Sequence, residues 1–241
     1  MRHLAIIPAR GGSKRIPRQN LREFLGRPVI AYSIEAAAES GLFDEIMVST
    51  DDEEIAALAE QYGANVPFMR SPENANDHAT TVDVLLEVLD HYQKKGVKFH
   101  YGCCIYPVAP FVTGRRLFSA FLKMRRHDYD CVFPVTPFNY PVQRALRLND
   151  GRLELLYPEF EKARSQDLET SYHDSGQFYW FNVERLRQKK SLMTDNTGAI
   201  ILNELEVQDI DNEIDWKMAE LKYRSTHYSY ENRYLLQSRR A

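Results

Sequence analysis

The chain begins its first element with Leu4-Ala-Ile-Ile-Pro-Ala-Arg-Gly-Gly-Ser-Lys-Arg-Ile-Pro-Arg-Gln-Asn20, where an apolar run leads into a basic loop. Residues 4–7 form a short, wholly apolar run, which is typical of a buried strand in a parallel sheet. Pro8 interrupts the run, and Gly11 and Gly12 follow it. Glycines let the backbone turn tightly and bring its N–H groups against a ligand. The stretch therefore predicts a central strand followed by a ligand-binding loop.

The loop concentrates positive charge, because it carries Arg10, Lys14, Arg15 and Arg18 around Ser13. Arginine and lysine side chains suit phosphate oxygens, and ligands of open α/β sheets bind beyond the carboxyl ends of the strands. The loop has neither the Gly-Lys-Ser/Thr ending of the Walker pattern nor the G-x-G-x-x-G of dinucleotide-binding folds. A solvated basic surface loop is the alternative, but the position after the first strand favours a polyphosphate site.

The composition suits one α/β domain over residues 1–241. The sequence is 44% hydrophobic and 27% charged, with a formal net charge of −3, which argues against nucleic-acid or membrane-surface binding. The N-terminal apolar run is too short for a signal peptide or a membrane span. Cys103, Cys104 and Cys131 lie in apolar runs without zinc-ligand spacing. They predict reduced core residues in a cytoplasmic protein.

Strands and helices alternate along much of the chain. The predicted strands are residues 45–49, 66–69, 101–106 and 131–135, and the predicted helices include residues 29–38 and 117–125. Thr50 or Asp51 is expected to cap a helix with an acidic first turn. Phe118, Phe121 and Leu122 are expected to pack the helix at 117–125 against the sheet. The alternation predicts right-handed crossovers and a mainly parallel sheet with helices on both faces.

Residues 138–172 lose the helical periodicity and are predicted to leave the sheet as an arm. Asn149-Asp150-Gly151 is a strong hairpin-turn signal between short β-like runs. The leucines around it need a surface that covers them, which predicts a homodimer. Arg144 and Arg164 are candidate partners of a ligand carboxylate, because arginine binds carboxylates bidentately. Solvated arginines are the alternative for both.

Two carboxylates near the C-terminus suggest a metal site. Residues 207–211 are predicted to form a strand in which Asp209 and Asp211 share one face while Ile210 faces the core. Paired carboxylates suit Mg²⁺, which also takes phosphate oxygens and water. Asn212 and Asp215 are predicted to cap the next helix. The alternative is that all these acidic residues have capping or turn roles. This alternative explains Asp215 well but explains Asp209 and Asp211 poorly.

The first loop resembles the signature of the CMP-sugar synthetases, the cytidylyltransferases that activate sialic acids, related nonulosonic acids and KDO with CTP. The resemblance rests on Ile7-Pro-Ala-Arg-Gly-Gly-Ser-Lys14 followed by Pro17 and Asn20. One departure is Gln19, because the family often has lysine there, which removes one phosphate contact.

Three further stretches resemble the same family, in the same order along the chain. Asp77-His-Ala-Thr-Thr-Val-Asp83 and Tyr106 resemble the pseudaminate branch more than the sialate branch. Residues 174–181 resemble the family's sugar-pocket strand, and Asp209-Ile-Asp211 resembles its metal-binding pair. The resemblance implies a Rossmann-like, three-layer nucleotidyltransferase fold. It also implies that the arm at 138–172 crosses to a second subunit.

The resemblance also implies which residues form the site. The implied nucleotide-binding residues are Ala9, Arg10, Gly11, Gly12, Ser13, Lys14, Asn20, Arg70, Ala79 and Thr81. The implied sugar-binding residues are Tyr106, Arg144, Arg164 and Gln177, and the implied metal ligands are Asp209 and Asp211. A capping box between Thr80 and Asp83 is the structural alternative for the start of that helix. Tyr106 is equally well explained as a partly buried aromatic at a strand end.

The expected reaction is the Mg²⁺-dependent transfer of CMP from CTP to the anomeric hydroxyl of a nonulosonic acid, with release of pyrophosphate. Arg10, Lys14 and Asp211 are the expected catalytic residues, and no residue stands out as a dedicated base. Pseudaminic acid is the expected acceptor, with N-acetylneuraminic acid, legionaminic acid or KDO as alternatives. A non-catalytic nucleotide-binding protein is the alternative of a different class, but it has no need of two metal carboxylates.

Overall fold

A computed structural model of the chain describes residues 1–12 and 16–238, and the side chains of residues 1–12 and 16–226. The strands are β1 (His3–Pro8), β2 (Glu23–Phe24), β3 (Arg27–Pro28), β4 (Glu45–Ser49), β5 (Tyr101–Ile105), β6 (Cys131–Pro137), β7 (Leu146–Asn149), β8 (Arg152–Leu155), β9 (Tyr172–Asp174), β10 (Phe178–Asn182) and β11 (Thr197–Ile201). The α-helices are α1 (Val29–Ser40), α2 (Glu53–Gln61), α3 (Pro72–Ala75), α4 (Thr81–Lys94), α5 (Gly114–His127), α6 (Val183–Lys189) and α7 (Glu213–Ser238).

The main sheet has seven strands in the order β11-β6-β10-β5-β1-β4, with β9 added beside β6. The pairs β1–β4, β1–β5 and β11–β6 are parallel, whereas β10 runs antiparallel to both β5 and β6. β9 also runs antiparallel to β6. The predicted mainly parallel α/β sheet is confirmed, with β9 and β10 as its two reversed strands.

Helices cover both faces of this sheet, as the buried first strand requires. Side chains of a strand alternate between faces, so Ala5 and Ile7 enter the core beneath α1, α2 and α5. Leu4 and Ile6 enter the core beneath α4 and α6. All four side chains are fully buried. The predicted three-layer arrangement is therefore confirmed.

The strand predicted at 66–69 is wrong, because residues 66–69 are not paired with any strand and the isolated bridge between Met47 and Asn65 lies just before them. Pro67 has no N–H to donate to a sheet ladder. The cap predicted at Thr50 or Asp51 is also displaced. Asp52 is the N-cap of α2, and its Oδ1 accepts the N–H groups of Glu54 and Ile55 at 3.0 and 3.1 Å.

The buried face of α5 differs in part from the predicted one. Leu117, Ala120 and Met124 are buried, whereas Phe118 and Leu122 are 47% and 38% exposed. The helix begins at Gly114, where an added Cβ would lie 2.8 Å from the backbone nitrogen of Ser40 in α1. The start of α5 therefore lies in close contact with the end of α1. The predicted inward position of Phe121 is confirmed, since it packs against the first core.

The predicted hairpin is confirmed between β7 and β8. Asp150 and Gly151 have φ angles of 47° and 77°, and their flanking residues Asn149 and Arg152 are paired. Two central residues with positive φ define a type I′ turn, which favours Asp-Gly. Three leucines of this hairpin are more than half exposed: Leu146, Leu148 and Leu153.

A third, smaller core holds the start of α7 against the β2–β3 hairpin. Its buried members include Phe24, Ile210 and Trp216. The rings of Phe24 and Trp216 meet edge to face, with centroids 5.8 Å apart. This core anchors the segment of Asp209 and Asp211 beside the carboxyl end of β1. None of the described helices is both long and apolar enough to cross a membrane.

Candidate active site

A cavity of about 390 Å³ opens beyond the carboxyl ends of β1 and β5. It is named the first-loop cavity here, and it is lined by Pro8, Arg10, Gln19, Asn20, Thr81, Tyr106, Pro107, Val108, Gly176, Asp209, Ile210 and Asp211. The edge of a sheet at the carboxyl ends of its strands is where ligands of α/β folds bind. Residues of four separated predicted motifs therefore meet in one cavity.

Gly11 brings the first loop into contact with the start of α2. Its N–H donates to Asp51 Oδ1 at 2.9 Å, and an added Cβ would lie 2.7 Å from Asp52 Oδ2. A side chain at this position therefore collides with the helix cap. At Gly12, by contrast, an added Cβ would meet no atom of residues 1–12 or 16–238 within 4 Å.

Two predicted residues brace the loop. Asn20 is buried, and its Nδ2 donates to the carbonyl of Arg10 at 2.9 Å. Ala9 is also buried, and its N–H donates to the Ser49 carbonyl at 2.9 Å. Ser13 and Lys14, predicted here as phosphate contacts, lie outside the described residues.

Arg10 connects the loop to the segment before α4. Its Nη1 lies 2.7 Å from Asp77 Oδ1, and both side chains remain more than a third exposed. Because Arg10 also lines the first-loop cavity, its guanidinium is available to an anion there. A salt bridge at such exposure holds the side chain only weakly, by about 0–1 kcal/mol.

The three residues predicted to contact the base have different surroundings. Arg70 is buried, with Nε donating to Ser49 Oγ at 2.9 Å and Nη2 to the Ser49 carbonyl. Burial lowers the pKa of this guanidinium. The N–H of Ala79 donates to Asn76 Oδ1 at 3.0 Å. Thr81 alone of the three lines the first-loop cavity.

Thr80 and Asp83 form the capping box predicted as the structural alternative at the start of α4. The Thr80 N–H donates to Asp83 Oδ2 at 2.9 Å, and the Asp83 N–H donates to Thr80 Oγ1 at 3.2 Å. Thr80 is thereby used by the helix terminus. The neighbouring Thr81 is left to face the cavity.

Asp209 and Asp211 both line the first-loop cavity and also an adjoining cavity of about 340 Å³. Residues 207–211 are not paired into a strand, so the predicted strand is wrong. Ile210 between them is buried in the third core, as predicted, and the two aspartates line the same two cavities.

The carboxylate pair suits a divalent cation that also binds phosphate. Both side chains supply hard oxygen donors, as Mg²⁺ prefers. No group of three or more His, Cys, Asp or Glu side chains that could hold a metal occurs within the described part of the chain. An ion bound by Asp209 and Asp211 would therefore take its remaining ligands from phosphate and water.

Asp215 has the capping role that the sequence predicts. Its Oδ2 accepts the N–H groups of Asp211 and Asn212 at 3.0 and 3.1 Å. Asn212 Oδ1 accepts the N–H groups of Ile214 and Asp215 at 2.8 and 3.0 Å. These reciprocal bonds cap α7 and fix the backbone of Asp211.

Two residues at these cavities were missing from the predicted site. Gln19 Nε2 donates to the Ile210 carbonyl at 2.8 Å and so ties the first loop to the aspartate segment. Lys222 lines the smaller cavity with the aspartates, and its Nζ donates to the Val207 carbonyl at 2.8 Å. The only sequence feature that pointed to either residue is glutamine at position 19, where the CMP-sugar synthetases often have lysine.

A larger cavity of about 620 Å³ adjoins the first-loop cavity on its other side. It is named the apolar cavity here, and it is lined by Thr81, Tyr106, Phe133, Val135, Tyr172, His173, Asp174, Tyr179, Leu192, Met193, Thr197, Gly198 and Ala199. Its lining is mostly apolar, with a few polar groups that can orient a ligand. Thr81 and Tyr106 line both cavities.

Hydroxyl groups lie at the boundary between these two cavities. Thr81 Oγ1 and the Tyr106 hydroxyl are 3.1 Å apart, and the Tyr179 hydroxyl donates to Asp174 Oδ2 at 2.6 Å. Burial is the main cause that raises the pKa of Tyr106 and of Tyr179. Residues 174–181 were predicted as a sugar-pocket strand, but Tyr179 and Asp174 were not singled out in it, because their positions depend on the pairing of β10 with β5 and of β9 with β6.

The remaining predicted sugar contacts are not among the residues that line these cavities, although the Gln177 carbonyl accepts the N–H of the lining residue Tyr106 at 2.9 Å. Arg144 sits at the base of the arm, where Nη2 donates to the Ala163 carbonyl. Arg164 pairs with Asp167 through Nε at 2.6 Å. Gln177 is buried, with Nε2 donating to the Glu206 carbonyl at 2.8 Å and Oε1 without a hydrogen-bond partner among the described residues.

Comparisons with known proteins agree with this geometry. A family model described as cytidylyltransferase matches residues 4–179. The chain is 39% identical to a pseudaminic acid cytidylyltransferase of Campylobacter jejuni, over 95% of this chain and 99% of that protein. It is 34% identical to the CMP-N,N'-diacetyllegionaminic acid synthase of Legionella pneumophila, over 91% of this chain and 95% of that protein.

A solved structure resembles the fold. CMP:2-keto-3-deoxy-manno-octonic acid synthetase complexed with CTP aligns with a TM-score of 0.67 at 17% identity, covering 94% of this chain and 100% of that chain. At this identity the likeness concerns the fold alone. It confirms the predicted nucleotidyltransferase architecture.

Proposed function

The chain belongs to the cytidylyltransferase family, and we propose that it transfers CMP from CTP to the anomeric hydroxyl of pseudaminic acid, releasing pyrophosphate. The observation that carries the choice of acceptor is the 39% identity to a pseudaminic acid cytidylyltransferase, spread over 95% of the chain. Identity spread over the whole length includes the acceptor side of the site as well as the nucleotide loop. The chain is thus an enzyme and not only a nucleotide-binding protein.

The first-loop cavity is the proposed site of CTP. Arg10 and the backbone of Gly11 and Gly12, together with Ser13 and Lys14, are assigned to the triphosphate, because cations and backbone N–H groups offset phosphate charge. Asn20 and Ala9 are assigned a supporting role through the loop backbone. Arg70, Ala79 and Thr81 are assigned to the base side of the nucleotide.

Nucleotidyltransferases of this family generally use a divalent metal ion, and Mg²⁺ is the ion proposed here. Asp209 and Asp211 would hold it, because their carboxylates line one cavity with Arg10. When bound, the ion supplies positive charge next to the phosphate oxygens. Asp215 supports this arrangement, because its carboxylate accepts a hydrogen bond from the Asp211 N–H.

The apolar cavity is the proposed site of the sugar acid. It meets the first-loop cavity at Thr81 and Tyr106, so an anomeric hydroxyl at that junction faces the α-phosphate. Attack in line requires mainly that the two reactants be held in position. Tyr106 and Gln177 are assigned to the sugar from the same subunit.

We assign the arm at 138–172 to a homodimer. Its exposed leucines support this assignment, since a large exposed apolar patch marks an interaction surface. Arg144 and Arg164 would then reach a sugar carboxylate of the neighbouring subunit. One domain over 1–241 and a cytoplasmic location complete the proposal, with no role in binding nucleic acid or membranes.

A pyrophosphate-release assay with CTP, Mg²⁺ and separate nonulosonic acids tests the proposed function. Pseudaminic acid is expected to give the highest kcat/KM among pseudaminic, legionaminic and N-acetylneuraminic acids and KDO. A higher value for legionaminic acid would favour the second candidate, which the 34% identity to the Legionella pneumophila synthase supports. If pyrophosphate were released with none of these acids, the proposal that the acceptor is a nonulosonic acid would be contradicted.

A further inference from the structure

The segment that carries Asp209 and Asp211 is held in place without a strand partner. Residues 207–211 are not paired with any described strand, so no ladder of backbone hydrogen bonds fixes their position. Mg²⁺ accepts oxygen ligands only within a narrow range of distances and in near-octahedral order. A carboxylate pair that serves this ion therefore needs other groups to hold its backbone.

Side chains from other parts of the fold supply this support. Three of them donate hydrogen bonds to backbone carbonyls of residues 206–210. These bonds run from Gln177 Nε2 to the Glu206 carbonyl, from Lys222 Nζ to the Val207 carbonyl and from Gln19 Nε2 to the Ile210 carbonyl, each at 2.8 Å. Of the three, the Gln19 bond is the one made between the two aspartates.

The peptide group between Ile210 and Asp211 is bonded at both of its polar atoms. Gln19 donates to its carbonyl, and Asp215 Oδ2 accepts its N–H at 3.0 Å. The Ile210 side chain is buried in the third core. The backbone of Asp211 is therefore fixed by one buried side chain and by two hydrogen bonds, one of which comes from Gln19.

Gln19 also lies next to the residue that braces the first loop. Both residues belong to the single-turn 3₁₀ helix Gln19–Leu21, and Asn20 Nδ2 donates to the Arg10 carbonyl at 2.9 Å. Two adjacent amides thus bond the backbone of Arg10 and that of the aspartate segment, which both line the first-loop cavity. An amide carries no charge, so Gln19 does not add to the Coulomb attraction that Arg10 offers to a triphosphate.

We propose that Gln19 is a positioning residue, which holds the peptide group of Ile210 and Asp211 at a fixed place relative to Arg10 so that one divalent cation can contact both the carboxylate pair and the triphosphate. This inference rests on the proposed function, in which Asp209 and Asp211 hold that cation. It predicts that Gln19 affects the binding of CTP only through the metal ion.

Calorimetric titration of the enzyme with CTP, in the absence of an acceptor acid, isolates this effect. The dissociation constant of CTP is measured with Mg²⁺ and again with EDTA, and the ratio of the two is the enhancement of CTP affinity by the metal. Wild type is expected to bind CTP more tightly with Mg²⁺, because the ion offsets the repulsion between the triphosphate and the two carboxylates.

Gln19→Met removes the amide donor and keeps a side chain of similar length. The enhancement by Mg²⁺ should fall by about two- to tenfold, the loss expected from one hydrogen bond, whereas the dissociation constant with EDTA should stay within about twofold of wild type. Gln143→Met is the matched control, because Gln143 Nε2 also donates to a backbone carbonyl, that of Glu169 at 3.0 Å, within the arm. It should leave both dissociation constants unchanged.

A double-mutant cycle with Asp211→Asn tests whether Gln19 acts through the carboxylate pair. Asp211→Asn alone should lower the enhancement, since the ion loses an anionic ligand. Adding Gln19→Met to that variant should lower the enhancement by less than about twofold further, because coupled residues do not give additive losses.

Three results would each overturn the positioning role of Gln19: an unchanged enhancement in Gln19→Met, a loss of CTP affinity with EDTA as large as the loss with Mg²⁺, or additive losses in the double variant. The proposed function is judged separately, from wild type. If wild type bound no CTP, the proposed nucleotide site would be wrong and this inference with it. If wild type bound CTP equally well with Mg²⁺ and with EDTA, the proposed metal pair would be wrong, and the role of Gln19 would fall with it.

Discussion

At Gly11 the first loop passes so close to α2 that no other residue fits without movement. The nearest atom to an added Cβ is Asp52 Oδ2 at 2.7 Å, followed by Asp52 Cβ at 2.9 Å. Asp52 cannot swing aside freely, because its other oxygen caps α2. The sequence indicates that glycine matters in this loop, but only the packing shows which of the two glycines is constrained.

Gly11→Ala should destabilise the protein, whereas Gly12→Ala should not. Overpacking of this kind costs about 1–3 kcal/mol, which corresponds to about 2–4 °C of melting temperature per kcal/mol for a chain of this size. Gly12→Ala meets no atom of the described residues within 4 Å and should change stability by less than about 0.5 kcal/mol. Thermal unfolding followed by circular dichroism measures both. Equal melting temperatures for the two variants would contradict the packing argument.

Asp211→Asn should abolish turnover while the fold survives. Asparagine keeps the shape but removes the charge that Mg²⁺ requires, and its near-octahedral shell tolerates little loss. The decrease should appear in kcat, by about 10²-fold or more, because negative charge moves onto pyrophosphate in the transition state. Asp209→Asn should behave similarly.

Asp215→Asn is the matched comparison, since an amide oxygen can still accept the N–H groups of Asp211 and Asn212. It should keep most of the activity. Pyrophosphate release titrated with Mg²⁺ compares the three variants. If Asp215→Asn released no pyrophosphate while Asp211→Asn were nearly as active as wild type, the assignment of metal ligand and helix cap would be reversed.

Elements whose signals are local were predicted well. The Asp150-Gly151 turn and the Thr80–Asp83 capping box need only a few neighbouring residues, and both are present. The failed strands at 66–69 and 207–211 carry strand-like residues, but their structure depends on partners elsewhere in the chain. Ile210 is buried by a third core built from α7 and the β2–β3 hairpin, which no local pattern reveals.

The arm exposes apolar side chains that a partner subunit would cover. Leu148 and Leu153, cross-strand neighbours on β7 and β8, are 68% and 67% exposed. The double substitution Leu148→Glu with Leu153→Glu should convert a dimer to a monomer in sedimentation velocity, because carboxylates resist burial in an apolar interface. Leu122→Glu, on α5 outside the arm, should leave the dimer intact. A wild-type monomer at micromolar concentration would refute the role of the arm.

At the scale of the molecule, the sheet order explains both the success and the limits of the sequence analysis. The first loop was expected beyond the carboxyl end of its strand, and Arg10 lines a cavity there together with Tyr106, which follows β5. The antiparallel insertion of β10 between β5 and β6 has no signature in hydrophobic periodicity. For that reason Tyr179, which this insertion brings beside Tyr106, was not singled out within the predicted segment 174–181, and neither was Asp174, whose position depends on the pairing of β9 with β6.

The central claim is that this cytidylyltransferase prefers pseudaminic acid, and a direct competition tests it. Limiting CTP is supplied with Mg²⁺ and an equimolar mixture of pseudaminic, legionaminic and N-acetylneuraminic acids, and the CMP-sugars formed are quantified by mass spectrometry. Because the acids compete for one enzyme, the product ratio equals the ratio of their kcat/KM values. CMP-pseudaminic acid should exceed each other product by about tenfold or more, which corresponds to about 1.4 kcal/mol. An equal or larger amount of CMP-N-acetylneuraminic acid or CMP-legionaminic acid would contradict the account.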